Sequence, residues 1–144
     1  MEKLKLLRDK TGAGIVDCKN ALAEAGNDID KAVEILRKKG IAKATKRSGN
    51  EAKEGIIKVA VSEDFKVGYI IEINTETDFV VRSEKFQEFV DKILKLIINK
   101  QPKNLTELMS LSLDSLNVQE ILDNLSGVIG EKLEIKRCDI RIIK

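Results

Sequence analysis

Residues 67–100, VGYIIEINTETDFVVRSEKFQEFVDKILKLIINK, decide the fold because two hydrophobic periods meet in them. The part up to Asn74 is rich in β-branched residues, which favours a strand. After Ser83, a residue type that often caps helices, apolar residues recur every three or four positions and predict an amphipathic helix. This stripe consists of Phe86, Phe89, Val90, Ile93, Leu94, Ile97 and Ile98. We expect the helix to lie on the sheet that the strand joins.

Two other segments supply the rest of this sheet. The residues IIKVAVS (56–62) are also rich in β-branched residues, and a short polar segment separates them from the strand that ends at Asn74. This arrangement predicts an antiparallel hairpin. The closing residues EIKRCDIRIIK (134–144) alternate well enough for a third strand, although their phase slips near Arg137, as a β-bulge would cause. A further helix is predicted after Asn117, ending at Gly130 and packing inward. Residues 56–144 are therefore predicted to form a small antiparallel three-stranded sheet with helices on one face.

Residues 1–40 predict three short amphipathic helices separated by glycine. The first ends at the TGAG turn (11–14), the second covers about 15–25, and the third begins after Asp28 and ends before Gly40. Residues 41–55 are polar and interrupted by glycine, so they are either a linker or a poorly packed helix followed by a loop. The predicted fold class is α+β, with a helical bundle, a linker and a core.

Composition limits the classes of function. Charged residues make up 35% of the 144 residues, but 26 basic and 24 acidic residues leave a net charge of only +2, which does not favour DNA or anionic lipid. The absence of histidine and of paired cysteines argues against zinc sites and histidine-based catalysis. The acids Glu72, Glu76 and Asp78 have no base or metal-ligand set around them, so we expect no enzyme. We also expect no membrane span, because no apolar run is long enough.

The pair Asp78 and Phe79 lies between the strand and the long helix and allows two interpretations. Phe79 lies seven residues before Phe86, so it would join the same apolar stripe if the helix began early, and pattern alone favours the core. Arg82 and Ser83 interrupt that continuation, and Ser83 is the better helix start. A short turn with its own direction, leaving Phe79 outside the core, therefore stays open.

Two surfaces of the N-terminal segment are candidates for binding. Because the inward stripe of the second helix includes Cys18, Ile15 and Val16 cannot both be buried, and we expect one of them to face solvent or a partner. Residues 37–47 contain six basic residues and no acid, which would suit RNA. The run has no aromatic residue for base stacking, and basic residues also stabilise helix C-termini, so we favour a solvated face.

Read together, four segments resemble the elongation factor Ts family. They are LRDKTGAGIVDCKNALAEAGNDIDKAVEILRKKG (7–40), EGIIKVAV (54–61), VGYIIEINTETDFVVRSEKF (67–86) and SGVIGEKLEIKR (126–137). The resemblance is specific, because TGAG followed by Asp-Cys-Lys, and TDFV placed after a strand, would rarely coincide at these separations. It implies a bundle like a ubiquitin-associated domain (1–40), joined by a linker (41–55) to an α+β core (56–144).

The resemblance also implies a function, that of a guanine-nucleotide exchange factor which binds elongation factor Tu and promotes GDP release. Asp78 and Phe79 match the pair that this family presents to the partner's nucleotide-binding domain, where the phenylalanine enters near the phosphate and magnesium site. The outward interpretation of Phe79 is therefore implied. Positions that grip a helix of the same partner domain are matched by Arg8, Ile15, Val16 and Lys19.

The implied assembly follows from the same family. Elongation factor Tu is expected as partner in its GDP-bound and nucleotide-free states, and because GDP belongs to that partner, this chain should need no cofactor. Longer members carry a second core half and a coiled-coil insertion that this sequence lacks, and short members pair two chains, which implies a homodimer. The expected location is the bacterial cytoplasm, or an organelle matrix if a targeting segment was removed.

Overall fold

A computed structural model describes residues 1–144, which divide into two units. The first unit contains Met1–Gly49 and Gln119–Lys132, and the second contains Asn50–Val118 and Leu133–Lys144. None of the helices combines the length and the apolar character needed to cross a bilayer. In chain order the elements are α1 (Glu2–Thr11), α2 (Ile15–Glu24), α3 (Ile29–Arg47), β1 (Glu54–Val61), β2 (Val67–Thr75), α4 (Asp78–Val81), α5 (Glu84–Lys100), α6 (Leu105–Ser110), β3 (Ser112–Leu113), β4 (Leu116–Asn117), α7 (Val118–Ile129) and β5 (Leu133–Ile142).

The three predicted N-terminal helices are confirmed as α1, α2 and α3. Gly12 ends α1 with φ 67°, a left-handed conformation that glycine adopts without steric cost, and its N–H reaches the Arg8 carbonyl. The Asp28 side chain caps α3 by accepting the Lys31 N–H. The core of this bundle is formed by Leu7, Cys18, Ala21, Leu22, Ala25, Ala32 and Leu36.

The predicted end of α3 before Gly40 is wrong, because the helix continues to Arg47. Gly40 is buried inside the helix, and a methyl group added there would lie 2.6 Å from the Asn124 Oδ1 atom of α7. The glycine thus allows a close approach between two helices instead of ending one. Of the two alternatives for residues 41–55, the helix followed by a loop is the one observed, with β1 starting at Glu54.

Helix α7 belongs to a different unit from the one that the sequence predicted. The sequence assigned it to the core at 56–144, whereas residues 119–132 group with the N-terminal helices. The close approach of α7 to α3 lies at Gly40, whereas a methyl group at Gly127 would make only an ordinary van der Waals contact, 3.4 Å, with the Lys43 side chain of α3. The predicted end of α7 is confirmed, since Gly130 has φ 85° and its N–H bonds to the Ser126 carbonyl at 2.8 Å.

The second unit contains the predicted antiparallel three-stranded sheet, in the order β1-β2-β5. The register shifts where Glu72 pairs with Arg137 and Ile73 pairs with Ile135, so Lys136 is the extra residue of a bulge on β5. This confirms the slip expected near Arg137. Helix α5 packs on the sheet through most of the predicted stripe, since Phe86, Phe89, Val90, Ile93 and Ile97 are buried. Leu94 and Ile98 of that stripe are only half-buried, and Leu96, which was not predicted, is buried instead.

Candidate functional site

A one-turn helix, α4, connects β2 to α5 and carries the pair Asp78 and Phe79. Thr77 precedes it in an extended conformation, with φ −126° and ψ 155°. After it, Ser83 is again extended and caps α5, its hydroxyl accepting the Phe86 N–H at 3.4 Å. Because Ser83 restarts the chain in a new direction, Phe79 does not continue the apolar stripe of α5.

Phe79 faces solvent, with 79% of its surface exposed, while the next residue, Val80, is only 9% exposed. The core position favoured by pattern alone is therefore wrong, and the outward orientation is confirmed. Leaving a phenylalanine in water forgoes roughly 1.5–3 kcal/mol of burial free energy. Val80 anchors the turn in the second unit, and Phe79 projects from it.

Side-chain hydrogen bonds hold α4 at both ends. At its start, the buried Thr75 hydroxyl donates to the Thr77 carbonyl at 2.8 Å. At its end, the Ser83 hydroxyl donates to the Val80 carbonyl at 2.7 Å, and the Gln87 amide donates to the Val81 carbonyl at 2.5 Å. These hydrogen bonds fix the backbone conformation of the turn that carries Phe79.

Asp78 forms an ion pair with Arg82 one turn later, with Oδ2 and Nη2 2.9 Å apart. The two side chains are 51% and 76% exposed, so solvent screens this pair and it contributes little to stability. The Asp78 carboxylate and the Phe79 ring are thus both accessible at the surface of α4. Sequence reasoning did not include Arg82 in the site, although the spacing of four residues was a usable signal.

The remaining predicted site residues lie in the first unit. Ile15 and Val16 are both exposed, at 54% and 69%; the residue pattern alone predicted exposure of one of them, and the family resemblance implied both. Lys19 is also exposed and lies four residues after Ile15 and three after Val16, so these three share one side of α2. Arg8 is exposed on α1, in the last turn before Gly12. The site residues thus form two groups, and Asp78 and Phe79 belong to the other unit.

The basic run at 37–47 is partly neutralised within the bundle. Arg37 pairs with Glu34 at 2.9 Å, Lys39 with Glu24 at 3.1 Å and Lys43 with Asp17 at 3.1 Å. Half of its six cations therefore already have acidic partners. This pattern fits the solvated face and does not favour RNA binding.

Neither cysteine has the environment of a reactive thiol. Burial raises the pKa of Cys18, and burial together with the nearby Asp139 raises the pKa of Cys138. No group of three or more histidine, cysteine, aspartate or glutamate side chains is arranged to hold a metal ion.

One exposed surface was not anticipated from the sequence. On the outward side of β1, Ile57, Val59 and Val61 are 63%, 67% and 58% exposed, and Ile70 of β2, which pairs with Val59, is 38% exposed. We call these four residues the open sheet face. The signal was available, because Ile57, Val59 and Val61 share one strand phase, whereas Ile56 and Ala60 share the other phase with Lys58, and α5 can cover only one of the two.

The sequence is similar to known proteins along nearly all of its length. A family model described as Elongation factor TS matches residues 76–142, which include Asp78 and Phe79. Elongation factor Ts of Clostridium perfringens (strain 13 / Type A) is 47% identical over 135 residues, or 93% of this chain and 45% of the relative. Those of a Nitratiruptor species and of Chloroherpeton thalassium are 45% and 44% identical, each over 95% of this chain and over 45% and 49% of the relative. The chain spans about half the length of these curated relatives.

Proposed function

We propose that this chain is a guanine-nucleotide exchange factor that binds elongation factor Tu and promotes GDP release, because its sequence is similar to elongation factor Ts proteins over nearly its whole length. The observation that carries this proposal is the exposure of Phe79, 79%, on a turn whose other side is anchored by Val80. A large apolar side chain that is held outward on a defined turn is suited to enter a pocket of a partner.

The proposed mechanism is a coupling of two binding equilibria. A factor that binds nucleotide-free elongation factor Tu more tightly than the GDP-bound form must weaken GDP binding by the same ratio. Phe79 enters the partner near the elements that support the nucleotide, and the Asp78 carboxylate accompanies it. The nucleotide and its magnesium ion belong to the partner, so this chain performs no chemical step.

In this proposal the first unit docks and the second unit releases the nucleotide. Ile15, Val16 and Lys19 offer an apolar side of α2 with a positive charge beside it, and Arg8 adds a second cation from α1. These residues provide affinity by gripping a helix of the partner. Exchange takes place where translation elongation does, in the cytoplasm or in an organelle matrix.

We also propose that two copies of the chain pair through the second unit. The open sheet face supports this, because its four aliphatic side chains lie on adjacent strands and are left in water. A second copy presents the same face, and a two-fold axis would cover both at once.

The exchange function is tested by the release of fluorescently labelled GDP from elongation factor Tu. Phe79→Ala should lower exchange efficiency about thirtyfold or more, which corresponds to the loss of an interface anchor worth ~2 kcal/mol. Phe65→Ala is the matched control, because Phe65 is 76% exposed in the same unit and is not part of α4. Equal exchange by the wild-type protein and Phe79→Ala would refute the proposed role of Phe79, and no acceleration by the wild-type protein would refute the function.

A further inference from the structure

Helix α4 is too short to keep its own conformation. It has only 4 residues, whereas isolated helices shorter than about 12 residues are marginal in water. Its local backbone hydrogen bonds include the Arg82 N–H to the Asp78 carbonyl at 3.2 Å and the Ser83 N–H to the Val80 carbonyl at 3.0 Å, and the Asp78–Arg82 ion pair adds little because solvent screens it. Contacts from outside the turn must therefore hold its orientation.

Gln87 supplies such a contact from a rigid element. It lies in the first turn of α5, next to the fully buried Phe86, and its own N–H bonds to the Ser83 carbonyl at 3.1 Å. Its side-chain amide donates to the Val81 carbonyl at 2.5 Å, one of the terminal carbonyls of α4 that have no partner within the helix. Gln87 therefore ties the end of the exposed turn to the helix that packs on the sheet.

We propose that Gln87 is a positioning residue that keeps α4, and with it Asp78 and Phe79, in the orientation needed to enter the partner. This inference rests on the proposed exchange function and deepens it. Gln87 acts through the Val81 carbonyl and does not itself touch the nucleotide site. Because the turn is already ordered in the free protein, its conformational entropy is lost when the chain folds. Binding to the partner therefore does not have to offset that loss.

The test compares two substitutions of Gln87. Gln87→Met keeps the length, the charge and the helix propensity of the side chain but removes the N–H donor. Gln87→Lys keeps a donor at the end of a flexible side chain. We expect Gln87→Met to lower exchange efficiency roughly three- to tenfold, as the loss of one neutral hydrogen bond would. Gln87→Lys should recover part of that loss.

The matched control is Gln119→Met. Gln119 lies in the first turn of a helix, α7, and its side chain donates to Asp123 at 2.9 Å, but it belongs to the first unit. Its substitution removes a similar side-chain hydrogen bond without affecting α4. Exchange should stay at the wild-type level.

Two readouts separate positioning from a general loss of stability. In the full chain, amide hydrogen exchange at Arg82 and Ser83 should accelerate in Gln87→Met while the amides of Ile93 and Ile97 in α5 stay protected. In a Phe79→Ala background, Gln87→Met should have a smaller effect on GDP release than in the wild-type background, because part of its effect acts through Phe79 and only the Asp78 contribution remains.

The inference is overturned if the Arg82 and Ser83 amides exchange at the wild-type rate in Gln87→Met, or if its effect on GDP release persists undiminished without Phe79. The proposed function has a separate outcome. If Phe79→Ala alone leaves GDP release unchanged, the assigned role of the α4 pair fails, while hydrogen exchange still decides whether Gln87 holds the turn.

Discussion

At the scale of single residues, the two phenylalanines Phe79 and Phe86 show how a helix cap decides between core and surface. They are seven residues apart and would share one face of an uninterrupted helix, but Ser83 starts a new helix between them. Phe86 is fully buried and Phe79 is 79% exposed. Hydrophobic period alone could not predict this outcome, because the deciding feature is a hydrogen bond from a backbone N–H to one hydroxyl.

We expect this difference to appear in thermal melting. Phe86→Ala should lower the free energy of unfolding by ~3–5 kcal/mol, since it leaves a cavity in the core. Phe79→Ala removes a side chain that is mostly in solvent and should change stability by less than about 0.5 kcal/mol. Melting followed by circular dichroism distinguishes the two. A large loss of stability in Phe79→Ala would return this residue to the core.

The exposed aliphatic pair on α2 gives a second prediction at this scale. Val16→Ser should raise the protein concentration needed for half-maximal GDP release by roughly three- to tenfold, because it removes apolar contact area worth about 1 kcal/mol. The maximal rate of release should not change, since Val16 is assigned to docking only. A titration of the release rate measures both quantities. A lower maximal rate with an unchanged midpoint would contradict the assigned division of roles.

At the scale of elements, local patterns predicted the position of α5 and of the three strands, because each is encoded within its own segment. The place of α7 could not be predicted in the same way. It depends on Gly40, which lets α3 and α7 approach each other although they are far apart in sequence, whereas in the sequence this glycine resembled a helix end. A glycine in a single sequence does not reveal whether it ends a helix or accommodates a neighbouring one.

The hairpin of β1 and β2 contains a similar close approach that can be tested. A methyl group at Gly55 would lie 2.5 Å from the Ile73 carbonyl oxygen and 2.9 Å from the Asn74 Cα, both backbone atoms that cannot rotate away. Gly55→Ala should therefore lower the free energy of unfolding by ~1–3 kcal/mol, as overpacking does. Denaturant unfolding provides the measurement.

Gly68→Ala is the control for this prediction. Gly68 lies in the same hairpin, opposite Val61, and has no atom within 4 Å of the added methyl group. Its substitution should be neutral or slightly stabilising, because alanine reduces the conformational entropy of the unfolded chain. If both variants were equally stable, the close approach at Gly55 would not constrain the hairpin.

At the scale of the whole molecule, each unit carries one part of the proposed contact with elongation factor Tu. The first unit presents Ile15, Val16 and Lys19, and the second presents Asp78 and Phe79. With a net charge of +2, long-range electrostatic attraction adds little, so specificity has to come from these local surfaces. Neither group alone is expected to give both affinity and GDP release.

The open sheet face leads to the last prediction, which concerns the proposed pairing of two chains. Light scattering over a dilution series should give twice the mass of one chain, and Val59→Lys, at the centre of this face, should give the mass of a single chain. In the dimer, the lysine would be buried without a partner, which is costly. In the single chain, Val59 is 67% exposed, so Val59→Lys should still fold. Leu6→Lys is the control, since Leu6 is 45% exposed on α1, which is no part of the open sheet face, and should leave the dimer intact. A standard interface of about 800 Å² per partner holds two chains together at concentrations on the order of tens of micromolar. A wild-type protein that stays monomeric at such concentrations would therefore contradict the pairing.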